Sequence, residues 1–130
     1  MTQNITFSDE YFMKKAFDEA QIAFDKGEIP VGAIVVCNNK IVAKAHNLVE
    51  TLNDVTAHAE ILAISSAAEY LGGKYLPECT IYITLEPCVM CSGALQWAQI
   101  GRVVYGAKDE TRGYNKNAPN ALHKKTKITS

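Results

Sequence analysis

The apolar pattern of this chain predicts an α/β sandwich built on a mixed sheet. Three observations carry that prediction. An amphipathic stripe opens the chain. Two β-branched runs follow it as a hairpin. From there, helix-like and strand-like segments alternate. A length of 130 residues suits one domain spanning 1–130, and no repeat, low-complexity or linker-like stretch divides it.

The elements follow in order. Residues 9–26 read as a helix, with Phe12, Ala16, Ala20 and Ala23 on one stripe and Phe17 and Phe24 widening it. Ser8 is its expected N-cap and Gly27 its stop. Residues 31–37 and 41–45 are short apolar runs separated by an Asn38-Asn39 turn, which predicts a hairpin. Thr56 is placed to cap a helix over 57–71, which Gly72-Gly73 would end. Residues 80–85 alternate as a strand. Pro87 then suits the first turn of a helix through residue 99, because its missing N–H has no helical partner there. Residues 102–105 form another strand, and 126–129 a last edge strand.

Composition narrows the class. With 48% hydrophobic and 21% charged residues, the chain is globular rather than disordered. Its beginning, Met1-Thr2-Gln3-Asn4, is polar and has no signal-peptide pattern. No apolar run approaches the roughly 20 residues needed to span a bilayer, so no membrane role is expected. Four cysteines without a secretory context suit a reducing cytoplasm, where cysteines serve as ligands or catalysts. The net charge of −1 hides an asymmetry. Residues 1–101 hold 6 basic and 12 acidic groups; residues 102–130 hold 7 basic and 2 acidic ones. The last quarter is therefore either a polyanion contact or a solvated polar tail.

Two short motifs carry chemistry: His58-Ala59-Glu60, and Pro87-Cys88-Val89-Met90-Cys91. Cysteines at i and i+3 in a first helical turn reach one metal ion. The unpaired N–H groups at a helix start also favour thiolates. Two thiolates and one imidazole make a three-ligand zinc site with a position left for water. Glu60 is a spare carboxylate two residues from His58. A zinc-acidified water beside a carboxylate forms a nucleophile and a proton shuttle. This suits hydrolytic replacement of an amino group on an electron-poor ring. Separately, each part has a plainer reading: a structural histidine, a solvated glutamate, a redox Cys-x-x-Cys pair or a non-catalytic zinc site. Together, with 26 residues between Glu60 and Pro87, they match the signature of zinc deaminases. Cys37 lies in a strand run and reads as a small buried apolar residue, Cys79 sits just before a strand, and both are expected outside the site.

At these residues the chain resembles the cytidine and deoxycytidylate deaminase superfamily. Residues 27–33 (Gly-Glu-Ile-Pro-Val-Gly-Ala), 45–47 (Ala-His-Asn), 56–61 and 84–94 further resemble the bacterial tRNA-specific adenosine deaminases. The likeness runs from about residue 11 to residue 106 and weakens beyond. It implies a three-layer α/β/α sandwich with a five-stranded mixed sheet, one Zn2+ per chain, and conversion of adenosine to inosine at the tRNA wobble position. It also implies a cytoplasmic homodimer whose partners are the tRNA anticodon arm and a second copy. Asn47 matches an asparagine that hydrogen-bonds the purine, Pro30 and Val31 match the pocket wall, and Asp109 matches an acidic residue near the nucleotide. Arg102, Lys108, Arg112 and Lys116 are the cations expected to meet RNA. Val55 departs from the family's proline, and family members continue beyond this region with a further helix. A free guanine or cytosine deaminase on the same fold is the alternative substrate reading.

Overall fold

The computed structural model describes residues 6–130, so the polar start at 1–4 lies outside the described residues. Helix α1 spans Asp9–Asp25 and is capped as expected: the Ser8 hydroxyl accepts from the Tyr11 N–H at 3.2 Å. Phe12, Ala16, Ala20 and Ala23 are buried along it. Phe17 and Phe24 are not; they are 52% and 63% exposed. The apolar stripe is thus narrower than the sequence suggests, because β1 lies so close that small residues fill the seam. A side chain at Gly32 would run into the α1 backbone at Ala16 and Ala20.

The hairpin joins β1 (Gly32–Cys37) to β2 (Lys40–His46). Asn38 and Asn39 both take positive φ, 52° and 61°, the conformation of a type I′ turn. Short α2 (Val49–Leu52) follows, then α3 (Ala59–Leu71), β3 (Cys79–Leu85), α4 (Val89–Ala98), β4 (Arg102–Ala107), short α5 (Tyr114–Asn117) and β5 (Lys127–Thr129). The sheet order is β2-β1-β3-β4-β5. The β1 strand is antiparallel to both neighbours, while β3, β4 and β5 run parallel. The five-stranded mixed sheet is as expected.

Alternation along the strands sorts side chains between two cores. Ile34, Val36, Tyr82 and Val104 pack with Phe12 and Ala16 of α1 on one face. Val35, Ile81, Ile83 and Val103 pack with residues of α3 and α4 on the other. This produces three layers. Among the described residues, no helix is long and apolar enough to cross a membrane.

Two helix starts differ from expectation. Thr56 does not cap α3; its hydroxyl donates to Asp54 at 2.7 Å, and His58 takes the N-cap position. Pro87 precedes the first turn of α4, whose N-cap is Cys88 in an extended conformation. In both cases the residue at the cap is one of the expected metal ligands.

Candidate active site

All the chemistry-bearing residues meet at one end of the sheet's strands. The ends of β2, β3 and β4, the entry to β1, and the starts of α3 and α4 lie there. His58 stands just outside α3 with ψ 152° and Glu60 lies in the first turn. That non-helical ψ removes the difficulty of two residues apart on a helix facing opposite ways. His58 Nδ1 lies 3.7 Å from Cys88 Sγ and 3.4 Å from Cys91 Sγ. The three donor atoms all fall within 4.8 Å of one another. Tetrahedral zinc with ordinary bond lengths separates nitrogen and sulfur ligands by about 3.6 Å. The donor set fits zinc in both chemistry and spacing.

Glu60 is buried, 4% exposed, and stands outside the donor set. Burial pushes its carboxyl above the usual glutamate range. The Cys91 thiol donates to Cys88 and holds it down at about 5, while Cys91 itself is pushed up by that bond and by burial. Both helix N-termini aim positive dipole ends at the site.

Above this floor is a cavity of about 330 Å³, at the small end of the range for ligand pockets. Ile29, Val31, Val49 and Val55 make an apolar wall, and Asn47 lines the cavity beside them. The Asn47 Oδ1 accepts from the Val49 N–H at 2.9 Å, which leaves the amide NH2 as a donor. Pro30 does not line the cavity; its neighbours Ile29 and Val31 do, because extended backbone turns alternate side chains to opposite sides. Asp109 and Arg112 close the facing wall. The Asp109 Oδ1 accepts from the Thr111 and Arg112 N–H groups, both at 3.0 Å, and these bonds hold its carboxyl below the usual range.

Two buried carboxylates that sequence reasoning missed hold these walls. Glu28 accepts from the Glu50 N–H at 3.0 Å and from the Thr51 N–H and hydroxyl at 2.7 Å, fixing the turn that carries Val49. Glu86 accepts from the Asp109 N–H at 3.2 Å and the Asn115 N–H at 3.0 Å. A side chain at Gly113 would collide with the Glu86 carboxylate, so glycine lets the loop close over it. No local pattern reveals either role, since their partners lie 22 to 29 residues away.

The expected RNA-facing cations separate. Lys108, Arg112 and Lys116 are exposed around the Asp109 wall. Arg102 is at the other end of β4, roughly 17 Å away along the strand. Its guanidinium grips Asp9 at 3.0 and 2.6 Å and Thr129 at 3.2 and 3.0 Å. Arg102 therefore ties α1 and β5 to β4, apart from the other three cations.

Comparison with known proteins agrees with this geometry. Residues 6–107 match the model of the cytidine and deoxycytidylate deaminase zinc-binding region. A tRNA-specific adenosine deaminase of Aquifex aeolicus (strain VF5) is 55% identical over 80% of this chain and 69% of its own length. One from Bacillus subtilis (strain 168) is 46% identical over 88% of this chain and 71% of its own. A solved structure from a study of A-to-I editing by tRNA:A34 deaminases superposes with a TM-score of 0.86. It is 39% identical and covers 93% of this chain and 97% of that one. Guanine deaminase from Bacillus subtilis superposes with a TM-score of 0.77 at 36% identity, covering 90% of this chain and 72% of that one. With its zinc-ligand triad, spare glutamate and sheet order in place, this chain belongs to the cytidine and deoxycytidylate deaminase family.

Proposed function

We propose that this protein is a zinc-dependent hydrolase that converts adenosine to inosine at the wobble position of tRNA. The observation that carries the reading is a single constellation. A three-ligand zinc site and a buried non-ligand carboxylate form the floor of a cavity sized for one nucleoside, with the Asn47 amide in its wall. The tRNA assignment rests on the relatives, whose names agree at 43% to 55% identity.

Zinc held by His58, Cys88 and Cys91 would supply the nucleophile, a water with its pKa lowered to about 7. Glu60 would take the two protons of that water in turn, passing the first to the ring nitrogen beside the amine-bearing carbon and the second to the departing amine. One water enters and one ammonia leaves. Asn47 donates its amide N–H to an acceptor on the base and sets the ring's position. Val31 and the apolar wall exclude water from the opposite face. Asp109 shapes the loop that closes the pocket.

The guanine deaminase likeness favours a second reading, in which a free base enters the cavity. Incubating the zinc-loaded protein with an anticodon stem-loop bearing wobble adenosine, beside free guanine, adenine, cytosine and their nucleosides, separates the two. Inosine in the RNA supports the proposal. Release of ammonia from guanine with unaltered RNA overturns it.

The same reading makes the protein a cytoplasmic homodimer. Val89, Met90 and Trp97 lie on the outer face of α4, and Trp97 is 80% exposed. A second copy seated there would adjoin the helix that carries Cys88 and Cys91. A Trp97→Lys variant that keeps the wild-type mass in light scattering removes this face from the interface.

A further inference from the structure

We propose that Cys37 and Cys79 form a cross-strand thiol pair that closes to a disulfide on meeting an oxidised low-molecular-weight disulfide such as oxidised glutathione. The two residues are direct Cα partners on the antiparallel ladder between β1 and β3. The Cys79 N–H bonds to the Leu76 carbonyl at 3.2 Å, and its own carbonyl accepts from the Gly101 N–H at 3.1 Å. Both groups therefore point away from β1, which makes this a non-hydrogen-bonded pair. At such pairs the Cα atoms stand about 4.5 Å apart and the side chains come closest. That separation falls within the roughly 4.4–6.8 Å that a disulfide accepts. Both side chains project to the same face, into the core beneath α3 and α4, and both are free thiols. No main-chain hydrogen bond between the two residues has to break when the bridge forms.

The two thiols have different tasks. Cys37 is half-buried and adjoins the Asn38-Asn39 turn; Cys79 is 2% exposed. Burial, reinforced by the neighbouring Cys37 thiol, pushes Cys79 up to about 12. Cys37 is thus the point of entry. Its thiolate attacks one sulfur of oxidised glutathione, its proton passes to solvent, and one glutathione thiolate leaves. Cys79, having given up its own proton, then attacks the Cys37 sulfur and expels the second glutathione thiolate. The pair loses two electrons and two protons, and oxidised glutathione becomes two thiols.

The bridge lies at the end of the strands opposite the zinc site, since Cys37 ends the strand whose start, Gly32, adjoins the cavity. It closes the chain between residues 37 and 79, a segment containing β2, α2, His58 and α3. Closing that loop restricts the unfolded chain and stabilises the fold. Deamination is unchanged, because nothing in the cavity moves.

The test uses the zinc-loaded full chain in glutathione buffers of increasing oxidation, quenched by alkylation. Cleavage after Tyr82 separates Cys79 from Cys88, so peptide mapping identifies each partner. The expected result is a chain lighter by two hydrogens, a Cys37–Cys79 link, unchanged zinc content and a raised Tm. Cys37→Ser and Cys79→Ser each abolish the link. Cys37 held as a stable glutathione adduct beside a reduced Cys79 overturns the proposal. So does a Cys88–Cys91 link with loss of zinc while Cys37 and Cys79 stay reduced. The wild-type map decides between these outcomes even if a serine variant folds poorly.

Discussion

Glu86 and Asn115 are joined by a hydrogen bond of 3.0 Å from a backbone N–H to a buried carboxylate. The other oxygen of the same carboxylate takes the Asp109 N–H. One side chain at the end of β3 therefore holds both ends of the loop that walls the cavity. An antiparallel bridge between Cys88 and Gly113 and a bond from the Tyr114 N–H to the Pro87 carbonyl at 3.0 Å fasten its base.

Glu86→Ala is expected to free this loop while leaving zinc bound. Two N–H groups lose a charged acceptor, at a cost of about 2–3 kcal/mol in stability. The Km for RNA should rise by roughly tenfold or more, with a smaller fall in kcat. Steady-state kinetics, zinc content and a thermal melt check this. An unchanged Km would leave Glu86 a purely structural residue.

Glu60→Gln keeps the shape of the side chain but removes the carboxylate proposed as the proton shuttle. Activity should fall by at least roughly 100-fold with zinc retained. Single-turnover deamination of an anticodon stem-loop measures it. Most of the activity surviving would mean another group moves the proton.

Cys88→Ala and Cys91→Ala should each lose zinc and activity together. Cys37→Ala and Cys79→Ala should keep both, because those sulfurs lie outside the donor set. Metal analysis of each purified variant is sufficient. A full complement of zinc in Cys91→Ala would remove that residue from the ligands.

Neutralising Lys108, Arg112 and Lys116 together should weaken anticodon stem-loop binding and flatten its salt dependence. The log–log slope falls by roughly 0.7 for every phosphate that single-stranded RNA no longer pairs with a cation. Arg102→Ala should leave that slope alone, since its guanidinium is held by Asp9 and Thr129. Binding titrations across a salt series decide. A wild-type slope in the triple variant would favour the free-base reading.

The Asp9–Arg102 pair predicts a pH dependence of stability. The Arg102 guanidinium and the Tyr82 hydroxyl hold Asp9 below its ordinary value of 3.8. A depressed carboxylate adds stability above the unfolded pKa and loses it as pH falls through the lower, folded pKa. Asp9→Asn should therefore cost stability at pH 7, by no more than about 1 kcal/mol because the pair is partly exposed. The difference should shrink as pH drops below 3.8. Denaturant melts at pH 7 and in acid compare the two chains. A difference independent of pH would show that charge is not the source.

The sheet, the hairpin turn, the long helices and the metal triad are all legible in the order of the amino acids. Each of these is encoded locally. Strand alternation, an Asn-Asn turn and two cysteines one helical turn apart act within a few residues, and the fold carries them unchanged. The donor set pointed to zinc, and the family resemblance added the tRNA substrate to that frame. Which loop closes the cavity, and which charges are free to meet RNA, emerges only once the chain is folded. Glu28 and Glu86 carry no local signal of their role, yet both are buried acceptors for distant backbone N–H groups. Arg102 reads as one more cation of a basic tail, yet Asp9 captures it across 93 residues of sequence. Phe17 and Phe24 read as core, yet the close approach of α1 to Gly32 leaves them outside. In each case the partner that fixes the role arrives only when the sheet brings distant segments together, and hydrogen bonds and packing act at distances of a few ångströms in space.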